Sequence, residues 1–212
     1  MTRFVLSLML LSTLWASTRA SHADETQDAI VKSYELEKSA GYAEAIAALK
    51  EIRKPTYLVE LRLGWLSYLS GKYNYARQHY QAAMKQAPKS IEPRLGLTLP
   101  LLAELKYAEV ESVARSILKI DNSNYTASIR LAMALRLQGK LKPAREVNRD
   151  MLELYPTDAS FLVEQLLTSV GLKETDVPDL ALRILAVDPE NATAKFYAPP
   201  ARNGAVPTAR RR

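Results

Sequence analysis

Apolar residues along this chain recur at helical spacing and not in alternation. Read at steps of three and four, Leu58, Leu61, Trp65, Tyr68 and Leu69 share one face of a helix. Glu92, Leu95, Leu99, Leu102 and Ala103 do the same one stretch later, followed by Thr126, Ile129, Met133, Arg136 and Leu137. No stretch alternates apolar with polar residues as a half-buried strand does. The run LGWLSYLSGKYNYARQHYQAAMKQAP, from Leu63 to Pro88, adds stop signals. Gly71 is placed to end one helix, because glycine takes the left-handed cap conformation at no steric cost. Pro88 ends the next, because proline cannot continue a helix. The abundance of Leu, Ala, Glu, Lys and Arg, with only 7 glycines, agrees with helix throughout.

This run repeats at a shift of 34 residues. Leu63-Gly64 becomes Leu97-Thr98 and then Leu131-Ala132, while Gly71 becomes Leu105 and then Gly139. Ala76 becomes Val110 and Ala144, and Pro88 becomes Asn122 and Pro156. A fixed period carrying the same chemistry at each slot signals stacked supersecondary units. Each unit reads as two antiparallel helices. A small residue beside Leu63, Leu97 or Leu131 lets the two backbones approach, and Ala76 or Ala144 keeps the second helix slim where they cross. Pro93, Pro143 and Pro178 fall in first turns, where proline is tolerated. Pro100 lies inside a continuous helical stretch and is expected to kink it.

The residues Leu63, Gly64, Gly71, Tyr73, Ala76, Tyr80, Ala83 and Pro88, with their counterparts, resemble the tetratricopeptide repeat. Units 57–90, 91–124 and 125–158 stand in exact register with one another. A shorter unit near 26–56, carrying GYAEAIAALKEIRKP, precedes them, and another near 159–192 follows with helices expected over 159–171 and 176–187. The aromatic residue that the repeat carries early in its first helix is replaced here by Glu60, Arg94 and Ser128. The resemblance implies an all-α, right-handed α-solenoid of about five helix-turn-helix units. It also implies a concave surface lined by the first helices, and a role in holding other proteins together. On that surface Leu61, Trp65, Tyr68, Leu95, Leu99, Leu102, Ile129, Met133 and Arg136 are the expected partner contacts, with Arg62 and Arg130 at one margin. Part of this apolar band must serve helix stacking. The remainder fits an amphipathic partner helix, another copy of the chain, or the chain's own amino-terminal helix. The subfamily that grips carboxylate tails lines the same slots with Lys, Arg and Asn, so that ligand is not expected here.

Charge and targeting signals alter this picture at the two ends. Arg3, the apolar run Phe4 to Ala16 and the small residues of Ser21-His22-Ala23 read as a secretory signal peptide over 1–23. Its apolar run of about 13 residues is short of the roughly 20 that span a bilayer. The expectation is an exported, periplasmic protein, with secretion as the alternative. The net charge of +6 comes from Arg3, Arg19, Arg202, Arg210, Arg211 and Arg212, which leave 23 basic against 23 acidic residues in the body. A neutral body does not suit nucleic acid, which calls for a basic face. Residues 193–212, with their proline, glycine and arginine, are expected to form a disordered basic tail. Such a tail would gain about 1 kcal/mol per basic residue near an anionic envelope surface. Binding envelope glycan or lipid through it, or self-assembly through the apolar band, are the alternative functions.

Nothing points to catalysis. The chain has no cysteine, and its only histidines are His22 and His79. Thiolate metal sites and cysteine nucleophiles are therefore excluded, and no second histidine can join His79. There is no glycine-rich phosphate loop and no nucleophile elbow. Glu109 and Glu111 point apart on one helix. Asp176 and Asp179 flank Pro178, where carboxylates cap a helix and favour its dipole. No cofactor or metal is expected. Asn124-Tyr125-Thr126 and Asn191-Ala192-Thr193 match glycosylation acceptors, which matter only in a eukaryotic secretory pathway.

Overall fold

The computed structural model describes residues 25–200, so residues 1–23, read above as a signal peptide, and residues 201–212 of the expected tail lie outside the described part. Among the described residues there is helix and no strand. The chain divides into two compact units, with the boundary between Glu109 and Val110.

The first unit holds α1 (25–38), α2 (Tyr42–Lys50), α3 (Tyr57–Leu69), α4 (Tyr73–Gln86) and α5 (Glu92–Ala103). Ala45, Ile46 and Leu49 of α2 bury against Val59, Leu63 and Leu66 of α3. Each such aliphatic side chain taken fully out of water contributes about 1.5–3 kcal/mol. One aromatic ring organises the next layer. Tyr80 of α4, 3% exposed, lies against both Gly64 of α3 and Gly96 of α5. A Cβ at position 64 would sit 2.9 Å from Tyr80 Cδ1 and Cε1, and one at position 96 would sit 2.5 Å from Cζ. The small residue at slot 64 therefore admits a ring from the second helix; backbone approach alone is not its purpose. Pro100 is buried inside α5, which continues to Ala103.

The boundary falls within α6 (Tyr107–Leu118). The second unit continues with α7 (Tyr125–Leu137), α8 (Leu141–Leu154), α9 (Ala159–Leu172), α10 (Val177–Val187) and α11 (Ala192–Tyr197). Ala114, Leu131, Leu135 and Ala144 form one core cluster, joined by Leu118 and Val147. Leu162, Leu166, Leu180, Ala181, Ile184 and Ala194 form another. Helix α11 corrects the expectation of disorder from residue 193 onward. Asn191 caps it by accepting from the Ala194 amide at 3.0 Å, and Ala194 is fully buried, so the chain gains both a cap and apolar burial there.

The repeat is written most clearly in the backbone. Gly71 (φ 71°), Leu105 (φ 57°), Gly139 (φ 74°) and Lys173 (φ 59°) all take the left-handed conformation at intervals of 34 residues. Ala40 does so 31 residues before Gly71, at φ 57°. Each of these residues closes a first helix in the same way. Lys72 donates to the Ser67 carbonyl at 2.8 Å, Lys106 to Leu101 at 2.8 Å and Lys140 to Leu135 at 2.9 Å. Glu174 donates to Ser169 at 3.0 Å, and Gly41 to Leu36 at 2.8 Å. This six-to-one bond is the Schellman cap, and it satisfies a carbonyl the helix end would otherwise leave open. Three of the first helices, α3, α7 and α9, also start alike: Thr56, Asn124 and Asp158 accept from the amides of Val59, Ala127 and Phe161 at 3.0–3.4 Å, whereas α5 starts at Ile91 without a side-chain cap.

Candidate interaction surface

All nine side chains expected to contact a partner are half-buried, neither sealed in the core nor free. In the first unit Leu61, Trp65 and Tyr68 lie on α3, and Leu95, Leu99 and Leu102 on the neighbouring α5. The α3 residues buried in the core are Val59, Arg62, Leu63, Gly64, Leu66 and Ser67, which leaves the stripe through Leu61, Trp65 and Tyr68 on the other side. Trp65 and Tyr68 rings stand 5.8 Å apart at 37°, and Tyr73 stands 6.1 Å from Tyr68, giving a continuous aromatic strip.

The amino-terminal helix reaches this strip. Trp65 Nε1 donates to Glu37 Oε1 of α1 at 2.7 Å. The other Glu37 oxygen pairs with Arg62, which was expected at an open margin and is in fact 6% exposed. Arg62 Nε donates to Ser33 Oγ and its Nη2 to the Ser33 carbonyl, each at 2.9 Å. Its guanidinium also lies 3.7 Å from the centroid of the Tyr34 ring, a cation–π contact. Arg62 thus binds α1 to α3 with all three guanidinium nitrogens engaged, as a planar fork can.

In the second unit Ile129 and Met133 lie half-buried on α7. Arg136 lies with them but is committed elsewhere. Its Nε and Nη2 grip the two Glu164 oxygens of α9 at 2.8 and 3.0 Å, and Glu164 is only 8% exposed. A bidentate pair at such depth is part of the fold, because releasing the arginine would strand a buried carboxylate.

Polar contacts account for two of the three slots where the aromatic of the repeat is missing. Glu60 Oε2 sits 2.7 Å from His79 Nδ1 of α4. Arg94 donates to the backbone carbonyls of Pro88 and Ser90 at 2.6 and 2.5 Å, and Ser128 is buried. Glu111, which the sequence left without a role, accepts from Lys140 at 2.7 Å and from Gln138 and Arg115 at 3.0 Å. The Lys140 bond, with those of Arg115 and Gln138, holds its carboxyl below the usual carboxylate range. Ser90, with its hydroxyl bonded to Glu92, likewise lowers the Glu92 carboxyl, and burial raises the Tyr57 phenol beside it. Asp176 does not cap α10 with its side chain; its Oδ2 lies 3.4 Å from Ser169 Oγ instead. The two glycosylation-type asparagines are helix caps whose amide nitrogens already donate to Asp121 and Asp188 at 3.0 Å. No single-sequence signal ties Arg62 to Glu37 or Arg136 to Glu164, since both pairings cross between repeats. Among the described residues no cluster of three or more metal-ligating side chains occurs, and no helix is long and apolar enough to cross a membrane.

The class that this architecture defines is the tetratricopeptide-repeat fold, and solved structures bear this out. No family model and no curated protein matches the chain. A MamA structure from Desulfovibrio magneticus RS-1, residues 41 to the end, superposes with a TM-score of 0.70 at 16% identity, covering 80% of this chain and 98% of that one. YrrB, described as a TPR protein with an unusual peptide-binding site, gives 0.70 at 13% identity, covering 85% and 95%. A thermophilic TPR protein of Thermus thermophilus gives 0.59 at 12%, covering 81% and 96%. At these identities the likeness is one of fold: an all-α solenoid of helix-turn-helix repeats.

Proposed function

We propose that this chain is a non-enzymatic adaptor or scaffold of the cell envelope, which holds a partner protein segment against the first-helix face. The observation carrying this reading is the strip of Leu61, Tyr68, Leu95, Leu99 and Leu102. These side chains stay partly open after every neighbouring helix of the first unit has packed. Each is already mostly buried, so covering the remainder of one is worth about 0.5–1 kcal/mol, and an apolar segment laid along the strip gains a few kcal/mol in sum. The peptide-binding site named for YrrB belongs to that protein and lends the reading support by analogy of fold alone. Export to the periplasm rests on the signal-type segment over 1–23.

The test is photo-crosslinking in the cell of origin, with a photoreactive residue at Tyr68 and, as control, at Tyr75, which is 55% exposed on α4. A foreign adduct dominant at Tyr68 and absent at Tyr75 supports an adaptor and names its partner. Equal labelling at both positions, or none at Tyr68, refutes the first-helix face as the site. Recovery of the protein in the cytoplasmic fraction with its leader intact would refute export.

A further inference from the structure

We propose that α1 is an exchangeable arm, and that its seat on α3 accepts α1 of a second copy of this chain. The first observation is how little of α1 is buried. Of its described residues, 25–38, only Ser33 is buried, whereas α3 buries six residues and α5 five. Val31 stays 49% exposed, and Tyr34 stays 52% exposed even though one side of its ring meets Arg62. An open cleft of about 820 Å³ is lined by Glu25, Thr26 and Ala29 of its first turns together with Ala48 and the Glu51–Lys54 loop. A helix held by so little apolar area belongs to the low-stability end of a domain and opens before the rest.

The second observation is the chemistry of the seat. Ala29, Ile30 and Leu36 pack partly on the core, and a polar fork holds the last two turns of α1. Arg62 takes Ser33 and Glu37, Trp65 takes Glu37, and Tyr34 lies under the guanidinium. When α1 leaves, Arg62 exchanges a carboxylate and two oxygen acceptors for water, and the seat is best refilled by a segment that returns all of them. The replacement must be a helix with a small hydroxyl residue, an aromatic next to it and a carboxylate four positions on. The segment Ser33-Tyr34-Glu35-Leu36-Glu37 of a second copy meets that description by identity. The third observation is the hinge, Ser39-Ala40-Gly41, where Ala40 is held at φ 57° without being glycine. Leu105 and Lys173 share that strain, but the turns they close join helices with several buried residues each. At the first hinge alone, straightening relieves the left-handed alanine while little burial resists it. Short strained hinges of this kind favour exchange of the element they carry.

The chain has no cysteine, so exchange can be read with introduced ones. Lys38→Cys ends α1 beside Glu37, and Leu69→Cys lies one turn beyond Trp65, to which Glu37 is bonded, so the double variant reads out joining of the two helices by a bis-maleimide within one chain. The two single variants are purified, mixed at high concentration, incubated and treated with the same reagent. The proposal expects a cross-linked heterodimer that accumulates with incubation, roughly tenfold faster when both chains carry Glu37→Gln, which removes the charge from the fork. Hydrogen exchange of the unmodified protein should show residues 29–36 exchanging ahead of α3. Efficient joining within the double variant but no heterodimer in the mixture, with or without Glu37→Gln, overturns the exchange. Residues 29–36 exchanging only together with α3 overturns the arm itself.

Discussion

Gly96→Ala provides the sharpest test of the packing in the first unit. In a helix interior this substitution ordinarily stabilises by about 1 kcal/mol, because alanine loses less backbone freedom than glycine. Here the new methyl would lie 2.5 Å from Tyr80 Cζ and 2.6 Å from Cδ1, against the 3.5–4.0 Å of ordinary carbon contacts. The ring would have to retreat by about 1 Å, and the retreat is blocked. Its other contact is Gly64, where even a hydrogen's replacement by carbon would stand at 2.9 Å, and the ring is 3% exposed. Overpacking of a closed site costs about 1–3 kcal/mol, and a ring clamped from two sides belongs at the upper end. Net of the helix gain, Gly96→Ala should destabilise by about 2 kcal/mol. In a Tyr80→Leu background the clash is gone, and the same substitution should stabilise by about 1 kcal/mol, a coupling near 3 kcal/mol. Equilibrium urea unfolding of the four proteins measures this, followed by far-ultraviolet circular dichroism and by the fluorescence of Trp65, which neighbours Gly64 on α3. If Gly96→Ala stabilises the protein in both backgrounds equally, the clamp does not exist.

Further outcomes follow from the same contacts. Arg136→Ala strands the buried Glu164 carboxylate and should cost about 2–3 kcal/mol in urea unfolding, with much of the loss recovered by adding Glu164→Gln. An Arg136→Ala protein as stable as the parent would return that arginine to the interaction surface. Glu111→Gln should destabilise near neutral pH by about 0.5–1 kcal/mol. The Glu111 carboxyl is held below its ordinary value of 4.5, so its contribution is complete above that pH and fades as pH falls through the lower folded value. The difference between parent and variant should therefore shrink in acid, and a constant difference from pH 7 to pH 3 would refute the pairing. Asn148 is fully buried and its Nδ2 donates to the buried Thr168 Oγ1 at 3.4 Å, so Asn148→Leu should cost about 1 kcal/mol in thermal unfolding, and an unchanged or raised stability would show that this bond contributes nothing. Gly139→Ala meets no atom within 4 Å, leaving backbone strain at φ 74° as its sole cost; about 0.5–1 kcal/mol is expected in the same assay, and no change would refute that strain.

The 34-residue period, the helix stops and the small and aromatic slots are local properties of the chain, and they determined the repeat class directly. A helix needs only the spacing of its apolar residues and the chemistry of its ends, both of which are legible in order along the sequence. Gly71 and Gly139 marked the left-handed caps, and Leu105 and Lys173 follow them because the same cap is required whichever residue the slot holds. The apolar rows Leu61–Leu95 and Trp65–Leu99 were likewise readable from helical spacing. What the spacing could not decide is which face of each row is already in use. That depends on contacts between helices of different repeats, where geometry and not order in the chain chooses the partner. Thus Arg62 and Arg136, both open cations on paper, are spent on Ser33, Glu37 and Glu164. Trp65 is shared with α1, and residues 192–197 form a helix because a core for Ala194 exists only once α10 is in place.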